Sequence, residues 1–405
     1  MRLLHVHNYY GSAAPSGENQ VFEAESELLK QRGHTVGRFV RHSDTIRAKG
    51  GWGALQGALS TPWNSFAAAA IKSAVVEQLP AVVHVHNTFP LLSPSIFYGI
   101  GGRAARVLTL HNYRLFCPAA IPMRAGEVCT ECMDRRSVCP ALRHGCYRNS
   151  RLATLPLAVN VALHRHLGTW AREVDAFIAL SEFQRDRMVE AGLPAELVQV
   201  KPNFYPGDPA VVAWAERDQS VVFAGRLTAE KGVRALVRAW LMWGDSAPEL
   251  RIVGDGDLRG ELERLAATSP GVPIRFLGQL PAAAAQQEIA RARLLVLPSE
   301  WFEGFPMVVR EAFAFGTPAA VSDIGPLPSI VRQGENGVVF RPADPQSLVE
   351  TVRAAWDSDG YLERLAGGAR RSFEDLYSEE ANYKMLMTIY EQAIEVSRRR
   401  REAAQ

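Results

Sequence analysis

The stretch Ser299-Glu300-Trp301-Phe302-Glu303-Gly304-Phe305-Pro306-Met307, continuing to Glu311, decides how this chain is read. It follows the apolar run Leu294 to Leu297, which reads as a buried strand, and leads into a helix that carries Glu311. Glu303 then lies in the loop after a strand, and Glu311 about a turn and a half into the helix. Both carboxylates can reach one crevice at the carboxyl edge of a parallel sheet, where ligands of open α/β sheets bind. Carboxylates accept hydrogen bonds from sugar hydroxyls, so this pair can grip a hexose and a ribose together. The alternative is two solvated glutamates beside an apolar loop.

Outward from this stretch, short apolar runs alternate with helical patterns, which predicts parallel sheets covered by helices. Toward the N-terminus the expected strands are Leu3 to His7, Thr35 to Val40, Ala81 to His86, Arg106 to Leu110 and Ala176 to Leu180. A helix after Gly17 carries Val21, Phe22, Leu28 and Leu29 and stops at Gly33. Another starts at Ser181, where Ser181 and Gln184 make a capping-box pattern, and ends near Gly192. Between Asn203 and Asp218 the pattern lapses into Pro206-Gly207-Asp208-Pro209, which reads as a linker. A second α/β unit follows, with strands expected at Ser220 to Ala224, Leu250 to Val253, Ile274 to Leu277, Leu294 to Leu297, Ala319 to Ser322 and Val338 to Phe340. Glu379 to Arg399 reads as one long helix closing in the basic run Arg398 to Arg401, whose expected role is a solvated helix end favoured by the macrodipole.

With 405 residues the chain exceeds what one core comfortably serves, and 47% hydrophobic and 22% charged residues are ordinary for a globular protein. The expected division is residues 1–204, 205–378 and a terminal helix 379–405 returning to the first domain. The most apolar stretch, Leu152 to Leu163, is interrupted by Pro156 and Asn160 and is too short to span a bilayer. Met1 to His7 runs directly into a strand pattern with no signal-peptide character, so a cytoplasmic location is expected. Net charge is +2, but Lys and Arg exceed Asp and Glu by seven over residues 1–205 and fall short by five over the rest. That asymmetry fits a first half that meets anionic lipid or a phosphorylated ligand, or a random surface imbalance.

Two further segments carry chemistry in the second unit. Phe223-Ala224-Gly225-Arg226-Leu227, with Glu230-Lys231-Gly232 at a helix start, is a strand, a glycine turn and two cations near a helix N-terminus, a combination suited to a diphosphate. Asp255-Gly256-Asp257 has an Asp-x-Asp form that holds metal elsewhere, but after Leu250 to Gly254 it reads as a tight strand-to-helix turn with Asp257 as N-cap. No catalytic metal is expected. His84 and His86 alternate on one strand without a third ligand at metal-site spacing, so His84 reads as a hydrogen-bonded core residue, and His111 at a strand end as functional. All five cysteines fall between positions 117 and 146, and Cys129-Thr-Glu-Cys132 is a C-x2-C knuckle to which Cys117 and Cys146 can add two thiolates. A structural zinc and a set of free thiols both remain open at this point.

The Glu303 to Glu311 segment resembles the E-x7-E motif of the large retaining glycosyltransferase family 4, whose members have the two-domain GT-B fold. The resemblance runs over most of the chain: the loop Gly11 to Glu18, His111-Asn112, Ser181, Arg226 with Lys231, Gly254-Asp255-Gly256, and Glu303 with Glu311. It implies two Rossmann-like domains with a donor cleft between them and a nucleotide-diphosphate sugar as donor. Arg226 and Lys231 would neutralise the diphosphate and Glu311 would bind the ribose. Glu303 and the backbone of Gly304, Phe305, Pro306 and Met307 would hold the transferred sugar, with His111 beside it. Gly17, Ser181, Gly225 and Gly254 would complete the nucleotide-sugar site. A subset of such proteins from exopolysaccharide-type pathways is similar in carrying a cysteine-rich insertion, here about 117–146, with Cys117, Cys129, Cys132 and Cys146 at the recurrent positions and Cys139 spare.

These readings combine into an expectation: a retaining transferase moving a hexose from a GDP- or UDP-sugar to a glycan or a polyprenyl-diphosphate-linked acceptor in cell-surface polysaccharide synthesis. The basic set Arg135, Arg136, Arg143, His144, Arg148 and Arg151 is the expected acceptor-diphosphate surface, and the amphipathic stretch Leu152 to Trp170 a point of peripheral contact with an anionic membrane. No organic cofactor and no nucleic-acid partner are expected. A dinucleotide-binding dehydrogenase is disfavoured because no G-x-G-x-x-G follows a strand and opens a helix. A sugar-nucleotide epimerase and a non-catalytic nucleotide-sugar sensor are the remaining alternatives.

Overall fold

The structure is a computed structural model that describes residues 1–10 and 17–403. The chain divides into two compact units. One comprises Met1–Pro122, Cys129–Pro202 and the chain from Asn382 onward; the other comprises Met123–Val128 and Asn203–Ala381.

The first unit is built on strands β1 (Arg2–Tyr9), β2 (Thr35–His42), β3 (Val82–Val85), β4 (Ala105–Thr109), β7 (Ala176–Ala179) and β8 (Val198–Val200), with the two-residue strands β5 (Met123–Arg124) and β6 (Glu127–Val128) pairing apart from the main sheet. The six strands run in the order β2-β1-β3-β4-β7-β8, all parallel. β8 was not expected from the sequence, because Val198-Gln-Val is too short to give a pattern. Every residue of β3, β4 and β7 is buried, as expected of strands covered on both faces. Helix Gly17–Gln31 lays Val21, Phe22, Leu28 and Leu29 into the core and stops before Gly33, whose φ of 80° suits glycine.

The terminal helix spans Glu379–Ala403, and from Asn382 on it belongs to the first unit. Leu386, Ile389, Tyr390 and Ala393, spaced along one helical face, pack with Leu3, Leu29, Val82, Val107 and Ile178 in one buried cluster. The basic run is not simply a solvated end. Arg400 donates to the carbonyls of Ala171, Arg172 and Val174 and pairs with Asp175 at 3.0 Å, and Arg401 reaches Gly102 O at 3.2 Å. Unsatisfied carbonyls near a helix end attract guanidinium groups as the macrodipole does.

The second unit carries β9 (Asp218–Ala224), β10 (Glu249–Val253), β11 (Ile274–Gly278), β12 (Ala292–Leu297), β13 (Ala319–Ser322) and β14 (Gly337–Phe340) in a second parallel sheet, order β11-β10-β9-β12-β13-β14. In each sheet the strand order reverses once, between β1 and β3 in the first and between β9 and β12 in the second. At such a switch point the two connections leave in opposite directions and open a crevice beyond the strand ends.

Candidate active site

In the second unit the switch point is flanked by the loops after β9 and β12. The β9 loop is braced by its neighbour: Gly225 N donates to Val253 O at 3.0 Å and Leu227 N to Asp255 O at 2.9 Å. A side chain at Gly254 would put its Cβ 1.9 Å from Gly225 O, and its φ is 134°, so the close approach of these two loops requires glycine. Asp257 does not cap the following helix, as the sequence had suggested. Helix Arg259–Ala266 starts after Leu258 with no side-chain cap, and Asp255 takes the loop's hydrogen bonds, from Gly256 N at 2.7 Å and Arg259 at 3.0 Å. The carboxylate nearest a metal-like spacing is thus spent on its own turn.

Lys231 ends the short turn Ala229–Lys231, just before helix Val233–Trp243. Gly232, at φ 66°, lets this segment lie against the end of β12, since a Cβ there would sit 1.8 Å from Pro298 O. Lys231 Nζ therefore reaches Glu303, donating to Oε1 at 2.7 Å, and Ser299 Oγ donates to the same oxygen at 2.6 Å. Glu303 is 4% exposed, and Lys231 also lies 5.5 Å from the Trp301 ring centroid. Arg226 stands more openly, its side chain 66% exposed and 3.3 Å from Glu230. Glu311 lies within helix Met307–Ala314; burial pushes its carboxyl above the usual range, against the pull of Arg310, 3.5 Å away. Pro306 is the N-cap of that helix and Phe305 packs against Tyr377, so Gly304 to Met307 forms the passage from β12 into the helix. Arg226, Lys231, Gly225, Gly254, Glu303, Glu311 and Gly304 to Met307 all belong to this one unit.

In the first unit, His111 follows β4, and its Nε2 lies 3.1 Å from His86 Nδ1. Gln184 Nε2 donates to Leu110 O and Gln184 Oε1 accepts from Leu180 N, both at 2.8 Å, so the ends of β4 and β7 are tied together one residue before His111. Ser181 caps helix Glu182–Ala191 by accepting from Gln184 N at 3.1 Å. The loop Gly11 to Glu18 lies for the most part outside the described residues; Gly17 opens the helix and Glu18 is held by Asn112 at 2.8 Å and Asn87 at 3.2 Å. Burial pushes the Glu18 carboxyl up to about 7, against the opposing effects of Asn112 and Arg114.

Behind His111 lies a buried cluster that the sequence did not disclose. Glu25 Oε1 is 3.0 Å from His84 Nδ1 and 3.3 Å from His86 Nε2, and its Oε2 accepts from Lys201 Nζ at 2.9 Å. Tyr390 Oη meets His84 Nδ1 at 2.8 Å and His5 Nε2 at 3.3 Å, and His84 Nε2 meets Thr109 at 2.7 Å. His84 is a hydrogen-bonded core residue, as expected. His5, Glu25 and His84 bring three ligand-type atoms within 4.8 Å of one another, a third partner for the histidines that linear spacing did not show. Lys201 already supplies this carboxylate with its cation, which makes a divalent ion there unfavourable by like-charge repulsion. A carboxylate on the apolar stripe of helix Gly17–Gln31, between Phe22 and Leu28, was the signal that could have found it.

The insertion brings four of its five cysteines into each other's electrostatic range. Cys132 is affected by Cys129 and Cys146, Cys117 by Cys132 and Cys146, and burial pushes Cys117 up to about 12 and Cys132 up to about 11. Cys139 is exposed and outside this set, and no disulfide joins any of them. Among the described residues no three of the sulfurs lie within 4.8 Å of one another. The donor set suits a tetrahedral thiolate site in kind, at a spacing wider than a bound zinc would impose.

A cavity of about 1010 Å³ opens in the first unit between helix Gly50–Ser60 and helix Arg151–His166. The latter runs through Pro156, which sits near its start, after a Ser150 cap. Leu55, Ile121, Pro156 and Leu157 give the cavity apolar walls, while Arg47, Arg114 and Arg148 bring positive charge. Of the basic set expected to form this surface, only Arg148 lines the cavity; Arg136 binds Glu190 O and Arg151 binds Arg143 O. Trp52 (80% exposed) and Leu152 (83%) stand out on the two helices that line it, and Phe66 (90%) on helix Ser65–Gln78. Among the described residues no helix is long and apolar enough to cross a membrane.

Residues 207–372 match the family model described as Glycosyl transferases group 1. D-inositol 3-phosphate glycosyltransferase 1 of Catenulispora acidiphila is 31% identical over 269 residues, 60% of this chain and 60% of that one. The chain spans about half the length, or less, of other curated relatives it matches. Among solved structures, a glycosyltransferase from Rickettsia africae superposes with a TM-score of 0.67 at 14% identity, covering 97% of this chain and 98% of that one. HepE of Anabaena, in complex with UDP and glucose, gives 0.64 at 16% identity, covering 96% and 99%. The paired six-stranded parallel sheets are thus those of the GT-B fold, and the second unit carries a likeness to group 1 glycosyl transferases and to several nucleotide-sugar transferase families.

Proposed function

We propose that this chain is a retaining glycosyltransferase of the family 4 type. It moves a hexose from a GDP- or UDP-sugar to a glycan or polyprenyl-diphosphate-linked acceptor in cell-surface polysaccharide synthesis, working peripherally at the cytoplasmic face of the membrane. The observation that carries the reading is the Lys231 and Glu303 pair at the switch point of the second sheet, with Arg226 open beside it. When the bond between sugar and diphosphate breaks, negative charge grows on the departing diphosphate. Arg226 and Lys231, already in place, stabilise that charge more in the transition state than in the ground state. Glu303 and the Gly304 to Met307 backbone hold the sugar, Glu311 takes the ribose hydroxyls, and His111, Gly17 and Ser181 serve the donor from the first unit. The acceptor hydroxyl attacks from the face the diphosphate leaves and passes its proton to the departing oxygen, which preserves configuration.

The apolar cavity with Arg47, Arg114 and Arg148 supports an amphiphilic, anionic acceptor, and the exposed Trp52, Phe66 and Leu152 support shallow membrane contact. A zinc at Cys117, Cys129, Cys132 and Cys146 would be structural, because four thiolates leave no position for water. The test is a panel of GDP- and UDP-sugars with a polyprenyl-diphosphate sugar, reading product mass and anomeric configuration. Transfer with retention, lowered about 100- to 1000-fold in Glu303→Ala, is expected by analogy with removal of a preorganised polar group. Consumption of donor without an acceptor product, or binding without turnover, would replace this reading with the epimerase or the sensor.

A further inference from the structure

The buried cluster behind His111 contains a directional chain of hydrogen-bonding groups. Glu25 Oε2 is held by Lys201, which in turn is held by Asn382 at 3.3 Å. All three side chains are buried. A carboxylate so paired stays ionised, and an ionised carboxylate can only accept hydrogen bonds. The Lys201 ammonium is the main influence holding the Glu25 carboxyl well below its usual range, against the effect of burial. His86 Nε2 is buried 3.3 Å from Glu25 Oε1, within ion-pair distance though not aligned as a hydrogen bond, and neither atom has another aligned partner among the described residues.

From this arrangement we infer that Glu25 and His86 are positioning residues that fix the tautomer of His111. Beside an ionised, acceptor-only carboxylate a ring lone pair would be repelled, so the nearest ring atom of His86, Nε2, carries the proton. A neutral imidazole has one N–H, so His86 Nδ1 is then an acceptor. His111 Nε2, 3.1 Å away, must be the donor to it, and His111 Nδ1 is left with its lone pair free. Both rings are neutral at physiological pH: burial lowers His86 to about 3 and holds His111 well below the ordinary histidine range. His111 therefore offers a hydrogen-bond acceptor, suited to a sugar hydroxyl and unsuited to a phosphate oxygen.

The neighbouring groups agree with one assignment throughout. Tyr390 can donate to His5 Nε2, leaving His5 Nδ1–H for Ser26 Oγ at 2.9 Å. Thr109 can donate to His84 Nε2 at 2.7 Å, leaving His84 Nδ1–H for the Glu25 and Tyr390 oxygens. Every proton has one place, and the terminal helix contributes two of the anchors, Asn382 and Tyr390.

The identity of the group that His111 meets rests on the proposed transferase function; the tautomer does not. The full chain, with ring-15N-labelled histidine and no donor present, is examined by long-range proton–nitrogen correlation. Protonated Nε2 and unprotonated Nδ1 at His111, with the same pattern at His86, are expected. A His111 protonated at Nδ1 overturns the inference, without any variant being needed. The double substitution Glu25→Gln with Lys201→Met removes the carboxylate and its counter-ion together, and its fold is checked by the dispersion of its backbone amide signals. The amide can now donate to His86 Nε2, so a population of His111 protonated at Nδ1 is expected. An unchanged His111 in the folded variant also overturns the inference. Where the wild type transfers sugar, the same variant is expected to lose about 10- to 100-fold in kcat with donor KM little altered. A chain that has the expected tautomers but transfers nothing refutes the transferase reading and leaves the inference standing.

Discussion

The open cation Arg226 of the second unit and the ion pair Glu25–Lys201 of the first stand in opposite environments. In the second, on loops shaped by Gly225, Gly232 and Gly254, Arg226 stands open with its side chain 66% exposed, while Lys231, 17% exposed, holds the buried Glu303. In the first, Glu25 and Lys201 are sealed in the core, each side chain 1% exposed, and can act on a ligand only through His86 and His111. Loop charges are suited to exchanging partners during a reaction; core charges are suited to holding a fixed arrangement. The roles proposed above follow that difference, ligand contact for the open cation and orientation for the sealed pair.

That contrast can be broken most forcefully at Lys201. Lys201→Met leaves the Glu25 carboxylate buried without its cation, and a loss of about 3–5 kcal/mol in stability is expected by chemical denaturation. Adding Glu25→Gln should recover most of that loss, whereas Arg226→Met, at a side chain 66% exposed, should cost little stability. Equal costs at Lys201 and Arg226 would erase the distinction between the two environments. A smaller effect is expected at the loop contact beside the proposed donor site: Gly254→Ala, strained at φ 134° and crowded against Gly225 O, should lose about 1–3 kcal/mol and weaken UDP or GDP binding measured by calorimetry. Binding that survives unchanged would mean that the two glycine loops do not shape the diphosphate site.

The mildest effect concerns Glu18, whose carboxyl is raised from the ordinary 4.5 to about 7 in the folded chain. Below the unfolded value both states are protonated and the contribution to stability is fully present. It is lost as pH rises through about 7, because the folded state must then carry a charge in a partly desolvated place. Glu18→Gln should flatten the pH dependence of unfolding of the first unit between pH 5 and pH 8. A wild-type profile that is already flat there would place Glu18 in open water.

What could be read from the sequence follows the same contrast. Arg226 with Lys231, and Glu303 with Glu311, could each be picked out because each pattern is local, a strand, a turn and a helix start; that Lys231 would meet Glu303, 72 positions away, was not legible. Eleven of the twelve main-sheet strands were legible from apolar runs, and β8 was missed for its length. The histidine cluster was not legible, because Glu25, His84, Lys201 and Tyr390 come from positions far apart that only the sheet order and the terminal helix bring together. His84 and His86 showed their shared face by alternation, but nothing local showed what that face would meet. Asp257 was misassigned as a cap for the opposite reason, since composition suggested a role that Asp255 and the backbone of the turn had already taken.

The docking of Asn382 and Tyr390 into the first unit has a consequence for how the molecule is made. A ribosome delivers β1, helix Gly17–Gln31 and β3 early, and with them His5, Glu25, His84 and His86, but it delivers the last partners only after the whole second sheet has emerged. During that interval the nascent first unit holds a carboxylate and several imidazoles that lack part of their final company. Its core stays provisional until residues 382 to 393 arrive, so the second unit can fold while the first still waits for its closing segment.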